Sequence, residues 1–165
     1  LAAVVTRSCC ESAKELGMPE AQFIVEIADV GELMPSGCDR VRFVFTANSR
    51  MAVQPIEKIA SGGELSRVML ALKTILAQHL ALPTIIFDEI DTGVSGRIAD
   101  AMGDIIARLA ESMQIVDITH LPQVAARGQH HYLVYKEDTA IRTETHIRQL
   151  SAAEHDKEIE KMRTL

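Results

Sequence analysis

The run Ala60-Ser61-Gly62-Gly63-Glu64-Leu65-Ser66-Arg67 places a serine and two glycines at the mouth of an apolar stretch. The first N–H groups of a helix have no backbone partner and sit at the positive end of its dipole, so they favour anions. Glycines let a phosphate come close to the backbone. Further on, Thr84-Ile85-Ile86-Phe87-Asp88-Glu89 ends an apolar strand in two adjacent carboxylates. In open α/β sheets, ligands bind beyond such strand ends. There Asp88 suits Mg²⁺ held through water, and Glu89 suits orienting or deprotonating an attacking water. Asp91 adds a third carboxylate before a glycine turn. His120 follows a second short strand, residues 115–119; if the two strands are neighbours it stands level with Asp88 and Glu89, in reach of a terminal phosphate. Each piece also has a plainer reading: Ser61 as an N-cap before a turn, Asp88-Glu89 as an acidic turn, His120 as an ordinary surface or core histidine. His79, His130 and His131 have no ligand-like spacing and receive no role.

The surrounding pattern indicates what positions these groups. Apolar residues at near-helical spacing over 1–16 predict a helix that Gly17-Met18-Pro19 stops. Alternation over 23–27 and 41–45 predicts a strand pair connected through Pro35-Ser36-Gly37. A loose stretch, 48–55, leads to a helix over about 64–80 with Leu65, Val68, Met69, Leu72, Ile75 and Leu76 on one side. A strand over 85–87, a helix from 97 to about 112, and strands over 115–119, 132–135 and 145–150 follow. Ser151 caps a last charged helix, with Glu154 at the capping-box position. Strands alternating with helices imply an α/β layer with a parallel sheet.

Composition bounds the reading. The 165 residues suffice for one domain with a core built from Leu, Ile, Val, Ala and Met, since tryptophan is absent. A net charge of −6 argues against a surface that traps nucleic acid as a whole. Cys9, Cys10 and Cys38 form no Cys-x-x-Cys pair, which argues against a disulfide framework or a zinc site and fits a reduced intracellular compartment. No apolar run reaches membrane-spanning length. The start lacks Met and a secretion signal, so the chain reads as a fragment of something longer. The phosphate loop Gly-x-x-x-x-Gly-Lys-Ser/Thr is absent: only Lys73 is followed by Thr, and it lies within the helical pattern.

In this order the motifs resemble the C-terminal half of an ATP-binding-cassette ATPase head. Residues 61–64 match the signature motif, 85–89 Walker B, 90–95 the D-loop, and His120 the switch histidine. The longer runs 59–73, 87–96 and 119–125, with Thr143-Glu144-Thr145-His146-Ile147, resemble the RecN family of bacterial DNA-repair proteins, itself similar to the SMC family. The resemblance implies an α/β fold, the C-terminal lobe of an ABC/SMC-type P-loop ATPase head. Its largely parallel sheet is flanked by helices and preceded by a strand pair. Residues 1–18 would end the returning coiled-coil helix, and 19–165 would form the lobe.

The family's cofactors, ATP and Mg²⁺, come with roles. Asp88, Glu89 and His120 serve the nucleotide of their own head: Asp88 holds the metal through water, while Glu89 and His120 act in catalysis. Ser61, Gly62, Gly63 and Glu64 face the nucleotide of a second head in an ATP-sandwiched homodimer, and Asp91 couples the two sites across that interface. The Walker A loop lies on the protein's own N-terminal head lobe, absent here. The chain alone is therefore expected to hydrolyse no ATP and, with apolar surface uncovered, to self-associate. The resemblance further implies that DNA is engaged through the full-length protein, in recombinational repair of double-strand breaks, in the bacterial cytoplasm at the nucleoid and not at a membrane. Two rivals stay open: a metal-dependent phosphohydrolase or nuclease using Asp88, Glu89 and Asp91, and a non-catalytic DNA-organising module.

Overall fold

The structure is a computed structural model that describes residues 2–59, 61–138 and 142–164. Leu1 and Ala60, both within runs read above, lie outside them. Helix α1 (Ala2–Glu15) buries Cys9 and Ala13. Gly17 closes it at φ +78°, with Met18 N–H donating to Ala13 O and Gly17 N–H to Lys14 O. Only glycine takes this left-handed position cheaply, and the wrapped carbonyls turn the chain into the next strand.

Strands β1 (Gln22–Met34) and β2 (Gly37–Thr46) form an antiparallel hairpin. Phe23, Val25 and Ile27 pair in register with Phe45, Phe43 and Val41, so the apolar alternation becomes one stripe. Phe23 and Phe45 pack under α1 and α2. The hairpin runs beyond the alternating segments because polar residues such as Asp29 and Arg40 continue the ladder into solvent, where no period marks it. The stretch expected to be loose ends in a short strand, β3 (Gln54–Pro55), paired with Val44 and Phe45.

Helix α2 (Gly62–Leu80) starts at Gly62, with Ser61 as its N-cap. The single apolar side expected of it is corrected. Val68 and Ile75 pack with α1 and the hairpin, while Leu70 and Ala77 pack with Phe87 and the following helix. Leu76 is half exposed. A helix inserted between two apolar clusters needs two stripes, and Leu76 falls outside both.

Beyond α2 come β4 (Thr84–Asp88), α3 (Gly96–Ala110), β5 (Gln114–Ile118) and the short α4 (Pro122–Ala125). The hairpin β6 (Tyr132–Asp138) and β7 (Thr143–Gln149) follows, then α5 (Ala152–Arg163). The capping box at Ser151 and Glu154 forms as expected. This is a mixed α/β fold in which, among the described residues, parallel pairing is confined to β4 and β5 and the other two sheets are antiparallel. Phe87, Met102, Ile105 and Leu109 build the core on one face of β4–β5. Its other face carries Ile86 at 60% exposure, Val116 at 43% and Ile118 at 52%. Parallel sheets are ordinarily covered on both faces. Among the described residues no helix is long and apolar enough to cross a membrane.

Candidate nucleotide site

Parallel register sets the geometry. Asp88, the last residue of β4, pairs with Ile118, the last of β5, so both strands end level. Glu89 extends the ladder, its N–H donating to Ile118 O at 3.0 Å. It does so at φ +48°, left-handed backbone that a non-glycine residue rarely adopts and that commonly marks a functional position. Thr92 holds the turn, donating to Glu89 O through its N–H at 3.2 Å and its hydroxyl at 2.9 Å. Ile90 and Val94 anchor the same loop in the core. Asp88 and Glu89 are therefore exposed on a rigidly held bend, their carboxylates without hydrogen-bond or ion-pair partners among the described residues.

Asp91 is 1% exposed. Its loop turns inward, and Oδ2 accepts a hydrogen bond from the Thr119 hydroxyl. Thr119 Oγ1 in turn accepts from Leu121 N–H at 3.0 Å. His120 lies with Nδ1 3.6 Å from Asp91 Oδ1, its own side chain 64% exposed. The fold thus brings Asp88, Glu89, Asp91 and His120 to one edge.

The glycine turn meets that edge. A Cβ on Gly63 would stand 2.6 Å from Gly93 O, so the two backbones pass at a distance only glycine allows. Ser66 Oγ donates to Thr92 O at 3.2 Å. Ser61 Oγ accepts from Glu64 N–H at 3.4 Å, a long N-cap bond. Arg67 grips the turn from the other side, its Nε donating to Gly63 O at 2.9 Å and its Nη1 to Leu16 O at 3.0 Å. Ser61 and Gly62 are exposed, Gly63 and Glu64 half-buried. The plain reading of Ser61 as an N-cap and the anion-binding reading of the turn are compatible, since several N–H groups remain beyond the cap.

No group of three or more His, Cys, Asp or Glu among the described residues can hold a metal. Asp91 faces inward, so the three-carboxylate site of the phosphohydrolase reading does not assemble. Mg²⁺ needs less from protein: one or two carboxylates with waters and substrate phosphates. Asp88, exposed and unpartnered at a strand end, fits that demand.

Asp117 escaped the sequence reading. Alternation turns it to the covered face of β5, where both carboxylate oxygens are buried without a partner. The signal was a lone Asp within an apolar strand. Burial first, and the Asp91 charge second, push its pKa up from 3.8 to about 6. The folded protein therefore holds this proton over a range where the unfolded chain has released it. That contribution to stability is complete below pH 3.8 and is lost as pH rises through about 6. Asp117→Asn is expected to raise stability above pH 7 by about 1–2 kcal/mol, discounted for partial solvent screening. It should also flatten the decline between pH 4 and pH 6. Thermal unfolding across this range checks it; an unchanged pH profile contradicts it.

No protein-family model matches the chain. It is 41% identical over 151 residues to the DNA repair protein RecN of Haemophilus influenzae, an alignment covering 91% of this chain and 27% of that protein. The chain thus spans about a quarter of the length of the curated relatives it matches. The Smc head domain with a coiled coil and joint from Pyrococcus yayanosii superposes with a TM-score of 0.75 at 17% identity, over 96% of this chain and 29% of that one. A chain from structural work on ATP-driven dimerization and DNA-stimulated activation of SMC ATPases gives a TM-score of 0.65 at 19% identity, over 96% of this chain and 91% of that one. The chain is homologous to the RecN DNA repair proteins over little more than a quarter of their length, and it carries the fold of SMC ATPase heads.

Proposed function

We propose that this chain is the C-terminal lobe of the ATPase head of a RecN-like, SMC-family protein acting in recombinational DNA double-strand break repair. Residues 1–18 end a returning coiled-coil helix, and 19–165 form the lobe. ATP with Mg²⁺ is the nucleotide. Asp88 holds the metal through water, Glu89 orients and deprotonates the attacking water, and His120 contacts the terminal phosphate. Ser61, Gly62, Gly63 and Glu64 present N–H groups and the helix dipole to the nucleotide of a second head.

The observation that carries this reading is the level ending of β4 and β5, which gathers two unpartnered carboxylates and an exposed histidine on one edge. The bare apolar face of β4–β5 supports a missing N-terminal lobe that covers it and supplies the phosphate loop. The similar SMC ATPases are described as undergoing ATP-driven dimerization and DNA-stimulated activation. That likeness supports head pairing through nucleotide, and DNA engagement by the full-length protein.

The test is reconstitution. Supplying the N-terminal segment to this chain should restore Mg-ATP binding and ATP-dependent dimerisation together, measured by equilibrium binding and light scattering. The chain alone should hydrolyse no ATP. Robust Glu89-dependent turnover by the chain alone, or reconstitution that restores neither property, overturns the reading.

A further inference from the structure

We propose that Asp91 acts within its own head as the positioning residue of His120, with Thr119 as its lock. The inference rests on the ATPase reading above and deepens it.

Asp91 is almost completely buried, yet its two oxygens are treated differently. Oδ2 takes the Thr119 hydroxyl. Thr119 Oγ1 already accepts Leu121 N–H, and a hydroxyl has a single proton, so its donation is committed to Asp91. The chain around His120 is thereby fixed on both sides, through residue 119 and residue 121. The remaining oxygen, Oδ1, is buried with no hydrogen-bond partner. Such an orphan in a native fold calls for an explanation. The ring nitrogen facing it is His120 Nδ1 at 3.6 Å, too far for a hydrogen bond. Site hydrogen bonds are often long before substrate binds and tighten in the complex. The exposed imidazole is free to make that small movement; the buried carboxylate is not.

Closing this contact fixes the tautomer. A carboxylate oxygen only accepts, so the proton sits on Nδ1, and Nε2 is left as an acceptor on the open side, where a water at the terminal phosphate can donate to it. Asp91 then stands behind the histidine and not across an interface.

The test uses the full-length protein with Mg-ATP. Asp91→Asn should lower kcat about 10–100-fold, the usual cost of losing such an orienting partner. KM for ATP and ATP-dependent dimerisation should stay within about twofold, because the effect is confined to the chemical step. Thr119→Val should lower kcat in the same direction, and Thr119→Ser should restore it. Nitrogen-15 NMR of the His120 ring should report Nδ1–H in the native protein and a shift towards Nε2–H in Asp91→Asn. Unchanged kcat with an unchanged tautomer overturns the proposal. So does loss of dimerisation with the tautomer intact, which would return Asp91 to the interface. Should Asp91→Asn fail to fold, the Thr119 pair decides: native kcat in Thr119→Val, or no rescue by serine, overturns it. If the native full-length protein lacks ATP turnover, the ATPase reading itself falls, and the tautomer measurement still judges the Asp91–His120 pairing.

Discussion

Glu89→Gln in the full-length protein is expected to reduce ATP turnover by about 10²–10³-fold while leaving nucleotide binding intact. The substitution is nearly isosteric. The bonds that hold position 89 are backbone bonds, from its N–H to Ile118 O and to its carbonyl from Thr92, and glutamine keeps all of them. The exposed side chain has no structural partner to lose among the described residues. What disappears is the base that takes a proton from water. Nucleotide-bound dimers should therefore accumulate, visible as persistent dimer in light scattering beside failed phosphate release in single-turnover assays. Turnover within about threefold of the native rate would remove Glu89 from the chemistry.

The second large effect belongs to the glycine turn, where neighbouring glycines should behave oppositely. A Cβ at Gly63 meets the Gly93 carbonyl at 2.6 Å, and that atom is backbone, anchored between Ile90 and Val94 in the core. A Cβ at Gly62 meets nothing within 4 Å. Gly63→Ala should cost about 2–3 kcal/mol, as overpacking against an unyielding wall does. For a chain of this size that lowers Tm by roughly 5–10 °C. Gly62→Ala should leave Tm within about 1–2 °C, because helix starts tolerate alanine where space is open. Equal melting temperatures for the two variants would contradict the close approach. On the head-pairing reading proposed above, Gly63→Ala should also weaken dimerisation beyond its effect on stability, since it pushes the glycine turn away from the loop carrying Asp91.

These positions show how much was legible beforehand. The helix start at Ser61 and the strand 85–87 followed from local signals: a cap residue, a glycine turn, an apolar run and Pro83. The meeting of Asp88, Glu89 and His120 followed from strand ends that parallel pairing makes level. What stayed hidden depends on residues far apart in sequence. Thr119 and Asp91 find each other across 28 positions, and Arg67 reaches Leu16 across 51. No spacing rule encodes such contacts. The double burial of α2 was invisible because a periodic pattern reports one face at a time. The length of the β1–β2 hairpin was missed because its outer half, with Asp29, Gly31, Glu32 and Arg40 among exposed Leu33 and Met34, shows no apolar alternation. Asp117 was passed over as part of a strand, although a lone acid within an aliphatic strand was its own clue.

Arg67 holds two carbonyls with its guanidinium group, Gly63 O on the glycine turn and Leu16 O just past the end of α1. Both anchors are rigid: Leu16 is fully buried and Gly63 is wedged against Gly93. Through this one side chain the end of α1 and the start of α2 are tied together, so a displacement of either is transmitted to the other.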